Sequence, residues 1–158
     1  MLAIGDPAPD FEARLQDGKS IRLSDLRGRY ILVYFYPKDD TPGCTIEACT
    51  LRDSFADLQE CGADVIGVST DSWDSHRGFQ EKYHLNFALA SDAKKEIAAA
   101  YGVGNAVPLL PMLARESALV GPDGIICAVW PKVSAKAHAQ EVLDTVKQLR
   151  AQETTTKA

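Results

Sequence analysis

The feature that most constrains the fold is the segment Tyr30–Tyr36 (YILVYFY), which contains only aliphatic and aromatic residues. A run of this kind, without polar alternation, is typical of a β-strand that is buried on both faces. The segment Val65–Ser69 predicts a second such strand. Ala118–Val120 and Ile125–Trp130 predict a hairpin around the turn Pro122–Gly124. The chain therefore contains the strands of a buried sheet.

Segments with helical periodicity lie between and after these strands. The predicted helices are Thr45–Glu60, Asp74–Tyr83, Asp92–Tyr101 and a last helix that begins near Ser134. Because strands alternate with helices, we predict an α/β fold with a central, partly parallel (mixed) sheet that is flanked by helices. A length of 158 residues agrees with one domain, which we assign to residues 1–152. We expect residues 153–158 (ETTTKA) to form a frayed tail.

Charge and hydropathy exclude several classes of partner. The chain has 17 Lys and Arg against 22 Asp and Glu, which gives a net charge of −5. Its basic residues never cluster in runs longer than two, so we expect no nucleic-acid partner. The longest apolar runs are far shorter than the ~20 residues of a membrane span, so we expect no membrane partner. The opening MLAIGDPAPD lacks a basic leader and an apolar secretory core, which predicts a cytoplasmic location.

The chain contains 4 cysteines: Cys44, Cys49, Cys61 and Cys127. That number is too small for a disulfide scaffold at this length, and in a reducing compartment it favours chemistry or burial over cross-links. The first two cysteines are close in sequence but are not spaced as CxxC. The sequence therefore poses the question of which cysteine is reactive.

The segment Pro37–Cys49 follows the most buried strand and opens the first long helix. This position places Cys44 in the first helical turn, where free N–H groups favour a thiolate. Lowering the pKa of a thiol from about 8.5 to about 6 requires about 3.4 kcal/mol, whereas a helix N-terminus supplies at most about 2 kcal/mol. The remainder requires hydrogen bonds to sulfur, which the Thr41 hydroxyl could donate, and a cation from elsewhere in the chain.

Cys49 follows Cys44 by five residues in the same predicted helix. In an intact helix this spacing separates the two Cα atoms by roughly 8–9 Å. A disulfide requires a Cα separation of about 4.4–6.8 Å. A static bond between these two cysteines is therefore excluded, whereas a transient bond that forms after the first helical turns unwind is allowed.

At these residues the sequence resembles a known family. The order Pro37-x-x-x-Thr41-x-x-Cys44 is the peroxiredoxin signature, and the surrounding YPKDDTPGCTIEA resembles the bacterioferritin-comigratory or peroxiredoxin Q branch. The likeness covers nearly the whole chain and implies a thioredoxin-like fold. Weaker matches elsewhere are Gly5-x-x-Ala8-Pro9-x-Phe11, Leu23-Ser24-Asp25-Leu26-x-Gly28, Val68-Ser69-x-Asp71-Ser72 and His138-Ala139-x-Glu141-Val142-Leu143.

The resemblance implies a thiol-dependent peroxidase that reduces hydrogen peroxide and organic hydroperoxides in antioxidant defence. Cys44 corresponds to the peroxidatic cysteine, which attacks the O–O bond and becomes a sulfenic acid. Cys49 corresponds to the resolving cysteine, which converts that sulfenic acid into a Cys44–Cys49 disulfide. An external dithiol, thioredoxin or a similar reductant, then restores the two thiols. The resemblance implies no cofactor, and we expect a monomer or weak dimer.

The resemblance also assigns roles to residues around the sulfur. Thr41 would hydrogen-bond the sulfur and a peroxide oxygen, and Arg115 would supply the missing cation and hold the transition-state oxygens. Pro37, Pro42 and Gly43 would shield and shape the peroxide pocket.

The chain departs from the family pattern after this arginine. Ser117 and Ala118 stand where the family usually has Thr and Phe, and the preceding Pro108–Met112 is unusually apolar and rich in proline. No catalytic atom is lost, but we expect the missing aromatic ring to change the pocket.

The remaining reactive side chains are interpreted as structural. We predict that Cys61 and Cys127 pack as small apolar residues and that the pair Asp39-Asp40 is solvated polar surface. The histidines His76, His84 and His138 are scattered without ligand spacing, so we predict no metal site.

Two alternative functions remain open at this point. The first is a general thiol–disulfide oxidoreductase without peroxidase activity, although that class uses CxxC and this chain has four residues between the cysteines. The second is a metal-binding assembly protein that uses the two thiols and a distant histidine.

Overall fold

The computed structural model describes residues 1–110 and 112–157, and side chains as far as residue 153. Its strands and helices follow one another in this order: β1 (Glu12–Leu15), β2 (Ser20–Arg22), a 3-10 turn (Leu23–Leu26), β3 (Tyr30–Phe35), α1 (Pro42–Glu60), β4 (Ala63–Ser69), α2 (Trp73–Tyr83), β5 (Ala88–Ser91), α3 (Glu96–Ala100), β6 (Glu116–Val120), β7 (Ile126–Trp130) and α4 (His138–Lys157).

The strands form one seven-stranded sheet in the order β2-β1-β5-β4-β3-β6-β7. β4 is parallel to β3 and to β5, whereas β6 is antiparallel to β3 and β7 is antiparallel to β6. The prediction of a mixed sheet with flanking helices is therefore confirmed. All residues of β3 are buried, as the unbroken apolar run predicts. Its carboxyl end leads directly into the loop before α1.

Two apolar clusters cover the two faces of the sheet, and β3 contributes alternate residues to each. Leu32 and Tyr34 belong to the cluster that contains Leu51 of α1 and residues of α2 and α4. Val33 belongs to the opposite cluster, which contains Ile97 of α3. This alternation follows from the period of two in a β-strand. The face that carries α1 is the face on which the candidate site lies.

The structure differs from the sequence prediction at two helices and two strands. The predicted helix Asp92–Tyr101 is shortened to α3 because Lys95 has a left-handed backbone with φ 57°, while the Asp92 carboxylate accepts the N–H groups of Ile97 and Ala98. The last helix begins at His138, since the residues from Ser134 form a turn first. The strands β1 and β5, of four residues each, were not predicted.

The last helix also extends farther than the domain boundary that we expected at residue 152, because α4 continues to Lys157. No helix within the described residues is both long and apolar enough to cross a membrane.

Candidate active site

The site forms where β3 ends and α1 begins. Thr41 is the N-cap of α1, with an extended backbone, and Pro42 occupies the first helical position, where proline needs no N–H donor. The first intrahelical bond runs from the Thr45 N–H to the Thr41 carbonyl, at 2.8 Å. The N–H groups of Gly43 and Cys44 precede it and point out of the helix end. The predicted place of Cys44 in the first helical turn is confirmed.

The sulfur of Cys44 lies against the guanidinium of Arg115. The Arg115 Nη2 donates to Cys44 Sγ at 3.3 Å, and Cys44 is only 2% exposed. Arg115 precedes β6, which pairs with β3, so the sheet brings a residue 71 positions away to the sulfur. Burial lowers the pKa of Arg115, but the negative charges of Cys44 and Glu47 outweigh that effect and raise it. A permanent cation at this distance favours the thiolate over the thiol.

Gly43 provides the space that Arg115 occupies. A Cβ atom at position 43 would lie 2.8 Å from Arg115 Nη2, which is closer than a Cβ atom comes to a neighbouring atom. The absence of a side chain at Gly43 therefore lets the guanidinium reach the sulfur across the helix end.

Thr41 and Pro37 lie on the loop that carries the site. The Thr41 hydroxyl donates its proton to the Lys38 carbonyl at 2.8 Å, so in this conformation it does not donate to the sulfur. The lone pairs of that oxygen remain suited to accept a hydrogen bond from a hydroperoxide O–H. The role predicted for Thr41 toward sulfur remains a prediction. Pro37 is half-buried two residues after the end of β3, and Pro42 is exposed in the first turn of α1.

Glu47 is a member of the site that the sequence analysis missed. Its carboxylate accepts from Arg115 Nη1 at 2.8 Å, and its side chain is completely buried. Burial raises the pKa of Glu47 to about 7, against the opposing effect of Arg115. The signal was present in the periodicity, because Glu47 occupies a core position three residues after Cys44 and four before Leu51 on the buried stripe of α1. A charged residue on such a stripe requires a partner.

Two buried oxygens beside this pair are left without a hydrogen bond. Glu47 Oε2 and the Tyr34 hydroxyl have no partner among the described residues. Burial raises the pKa of Tyr34 well above its usual value, and the negative charge of Glu47 raises it further. The buried part of the site therefore contains the neutral phenol of Tyr34 and the carboxyl group of Glu47, one oxygen of which forms no hydrogen bond.

The prediction that Asp39 is solvated surface is wrong, because its side chain is buried in the loop before α1. Its carboxylate accepts from Tyr36 Oη at 2.6 Å and Ser75 Oγ at 2.8 Å, and lies 2.7 Å from His76 Nδ1. His76 Nε2 lies 3.0 Å from the Ala90 carbonyl, which can only accept, so Nε2 carries a proton. The two ring nitrogens of His76 thus lie between the Asp39 carboxylate and the Ala90 carbonyl. The contact between Asp39 and His76 anchors the loop that carries Thr41.

Asp40 agrees with the prediction for the same pair, since it is exposed and bonds Lys82 and Tyr83 on α2. Among the described residues, the one group of three potential metal ligands is Asp39, Asp71 and His76. The carboxylate oxygens of Asp39 and the ring nitrogens of His76 are already engaged in hydrogen bonds, so the geometry is that of a hydrogen-bonded anchor.

The other three cysteines differ from Cys44 in their position and surroundings. Cys49 is half-buried in the continuous helix α1, and all four cysteines are unbonded thiols. Burial raises the pKa of Cys127 to about 11, which makes it a poor nucleophile, in agreement with a packing role. Cys61 ends α1 and packs against the core.

Ser117 replaces the usual Thr. Its Oγ lies 2.8 Å from His138 Nε2, and both side chains are buried. Burial lowers the pKa of His138 to about 4, so it is neutral and structural, as predicted. Ala118 is fully buried on the opposite face of β6, in the cluster that contains Val33. It therefore packs in the core behind the sheet, away from the face that carries Cys44.

Comparisons with known proteins agree with this geometry. The AhpC/TSA family model matches residues 4–129. Peroxiredoxin Bcp of Bacillus subtilis is 41% identical over 152 residues, which are 94% of this chain and 97% of that protein.

Solved structures extend the likeness to the fold. Peroxidoxin BcpB from Mycobacterium tuberculosis is 33% identical with a TM-score of 0.87, over 94% of this chain and 98% of that one. A bacterioferritin comigratory protein from Xanthomonas campestris is 30% identical with a TM-score of 0.83, over 93% and 96% of the two chains. The predicted thioredoxin-like fold is therefore confirmed. The chain belongs to the AhpC/TSA family, among the peroxiredoxins of the Bcp and Q type.

Proposed function

We propose that this chain is a thiol-dependent peroxidase that reduces hydrogen peroxide and organic hydroperoxides, with Cys44 as the residue that reacts. The observation that carries the proposal is the contact of 3.3 Å between Arg115 Nη2 and Cys44 Sγ at the first turn of α1. A helix end alone gives a thiolate only limited stabilisation, and a guanidinium in contact with the sulfur favours the anion further.

In the first step, the Cys44 thiolate attacks the terminal oxygen of the hydroperoxide. The S–O bond forms as the O–O bond breaks, the alkoxide leaves with the bonding electrons, and a proton converts it to the alcohol. Arg115 stabilises the negative charge that moves from sulfur to the leaving oxygen, and Thr41 accepts a hydrogen bond from the peroxide O–H. Pro37, Pro42 and Gly43 shape the pocket around these atoms.

In the second step, the thiol of Cys49 condenses with the Cys44 sulfenic acid to give a disulfide and water. The continuous helix α1 keeps these residues too far apart for this bond, so the first turns of α1 unwind before it forms. A dithiol reductant of the thioredoxin type then reduces the disulfide and restores both thiols.

The setting of the reaction is proposed on the same grounds. The Xanthomonas campestris neighbour is described by its alkyl peroxide reduction activity, which supports organic hydroperoxides as substrates here. Because Cys44, Cys49 and Arg115 come from one chain, a monomer or weak dimer suffices. Four unbonded thiols suit the reducing cytoplasm, and the net charge of −5 gives no reason to expect nucleic acid or membrane partners.

The proposal is tested by replacing each cysteine and measuring peroxide consumption with a thioredoxin system. We expect C44S to lose activity completely and the matched variant C61S to keep it. A C44S variant that consumes peroxide at the wild-type rate would contradict the proposal. Rapid reduction of insulin disulfides with negligible peroxide turnover would favour a general thiol–disulfide oxidoreductase instead.

The role of Cys49 has its own test. We expect C49S to complete one turnover and then stop, with a sulfenic acid at Cys44 that a dimedone probe traps. Continued cycling of C49S with thioredoxin would show that another cysteine resolves the sulfenic acid.

A further inference from the structure

Arg115 faces two acidic groups at once, and their charges do not balance. Its Nη2 contacts Cys44 Sγ at 3.3 Å, and its Nη1 contacts Glu47 Oε1 at 2.8 Å. If both groups were ionised, one guanidinium would serve two anions, and Glu47 has no exposure to water. Uncompensated negative charge in such a place is costly.

Among the described residues, the other titratable groups on the elements around this site do not supply the missing positive charge. Tyr34 on β3 is a buried phenol that stays neutral. From α4, which packs against α1, the buried His138 is neutral at physiological pH. The Asp39 carboxylate raises the pKa of Tyr34, but its own contact is with His76 Nδ1, at 2.7 Å. Arg115 is therefore the cation that both acids share.

We propose that Cys44 and Glu47 share one proton through their common contact with Arg115, so that Glu47 accepts the thiol proton when Cys44 becomes a thiolate. This inference rests on the proposed peroxidase function and adds a proton-holding residue to it. Glu47 acts on the reaction through Arg115 and is a positioning residue. The unpartnered Oε2 of Glu47 is the atom that holds the proton, because Oε1 accepts from the guanidinium.

The proton and electron balance of the cycle is then closed. When the thiolate forms, Cys44–SH and the Glu47 carboxylate become Cys44–S⁻ and a carboxylic acid, without a change in net charge. The thiolate attacks, the sulfur is oxidised to a sulfenic acid, and the O–O bond breaks to release an alkoxide. The alkoxide takes a proton from water and becomes the alcohol, and the proton that Glu47 gives up replaces the one taken from the water. Glu47, which now faces a neutral sulfenic acid, returns to the carboxylate and releases the proton that it held.

The burial of Glu47 supports this arrangement independently of the contacts. Its carboxyl group has a pKa of about 7, so either protonation state is accessible at neutral pH. Two acids that share one cation in this way are expected to titrate as a pair, with two apparent steps that belong to neither residue alone.

The first experiment compares Glu47→Gln with the exposed control Glu60→Gln at the other end of α1. The rate of Cys44 alkylation by iodoacetamide is measured against pH by peptide mass spectrometry. We expect two steps in the wild type and in E60Q, and a single step at lower pH in E47Q, because the competing anion is gone. Each unit of that shift corresponds to about tenfold faster alkylation below the step. A step at unchanged or higher pH would overturn the proposal and leave Glu47 as a mere support for Arg115.

The second experiment needs no substitution at Glu47. Infrared spectroscopy of the reduced wild type at neutral pH should show a protonated-carboxyl band that decreases after one equivalent of peroxide. The same band should be weaker in C44S and missing in E47Q. A band that is unaffected by oxidation would contradict the proposal. Because thiol alkylation and the reduced-state spectrum require no peroxide turnover, their failure is distinguishable from failure of the peroxidase function itself.

Discussion

The substitution Gly43→Ala tests how the guanidinium reaches the sulfur. The added Cβ would lie 2.8 Å from Arg115 Nη2 and 3.6 Å from Arg115 Cζ. Both atoms belong to the far end of a flexible side chain, so Arg115 moves aside and the backbone does not. The bond of Nη2 to Cys44 Sγ is then lost or lengthened.

The magnitude follows from the type of bond. A hydrogen bond to a charged group contributes roughly 1.5–3 kcal/mol, which corresponds to a loss of about 10- to 150-fold in reactivity. Folding should not suffer, because replacing glycine by alanine inside a helix stabilises it by up to about 1 kcal/mol. We therefore expect G43A to have a lower kcat/KM for hydroperoxide with an unchanged or higher resistance to urea.

The assay is peroxide consumption coupled to thioredoxin, with urea unfolding measured on the same samples. Gly78→Ala is the matched control, since Gly78 lies in α2 and a Cβ there meets nothing within 4 Å. Wild-type kcat/KM in G43A would refute the reasoning that Arg115 must approach the sulfur over Gly43. A parallel loss of activity and stability would refute it equally.

Three further predictions concern buried groups. His76→Phe leaves the buried Asp39 carboxylate and the Ala90 carbonyl without their contacts to the ring nitrogens, and we expect a loss of roughly 1–3 kcal/mol in urea unfolding, against little change for the exposed His84→Asn. Cys127, with a pKa of about 11, should react with iodoacetamide at neutral pH more slowly than Cys44, and equal rates in peptide mapping would count against its burial. Because the pKa of Glu47 rises from 4.5 to about 7 on folding, the native state binds the extra proton and stability should fall between those pH values as pH rises. The loss amounts to at most about 3 kcal/mol, and E47Q should remove this slope from the urea midpoints.

The sequence was sufficient for the parts of the site that depend on local order. The buried run of β3, the turn residues Pro42 and Gly43 and the helix start place Cys44 without reference to the rest of the chain. The need for a cation also followed from free energies, because a helix N-terminus supplies less than the stabilisation that a thiolate at neutral pH requires. Its identity as Arg115 came from the family resemblance, because 71 residues separate the two side chains and only the pairing of β3 with β6 joins them.

Buried charges were the parts that the sequence could not place. Asp39 was taken for solvated surface because it stands in a polar loop, but its partner His76 comes from α2, 37 residues away. Glu47 depends on Arg115 in the same way, at a separation of 68 residues. A charged side chain is buried or exposed according to whether a distant partner meets it, and local patterns do not contain that information. The short strand β5 was missed because its four residues, ALAS, lack a strong strand signal.

Non-reducing peptide mapping after one equivalent of hydroperoxide identifies the peroxidatic and the resolving cysteine at once. We expect one new disulfide, between Cys44 and Cys49 of the same chain, with Cys61 and Cys127 left as free thiols. A disulfide that includes Cys61 or Cys127 in place of Cys49, a bond between two chains, or peroxide consumption that leaves Cys44 unmodified would contradict this expectation.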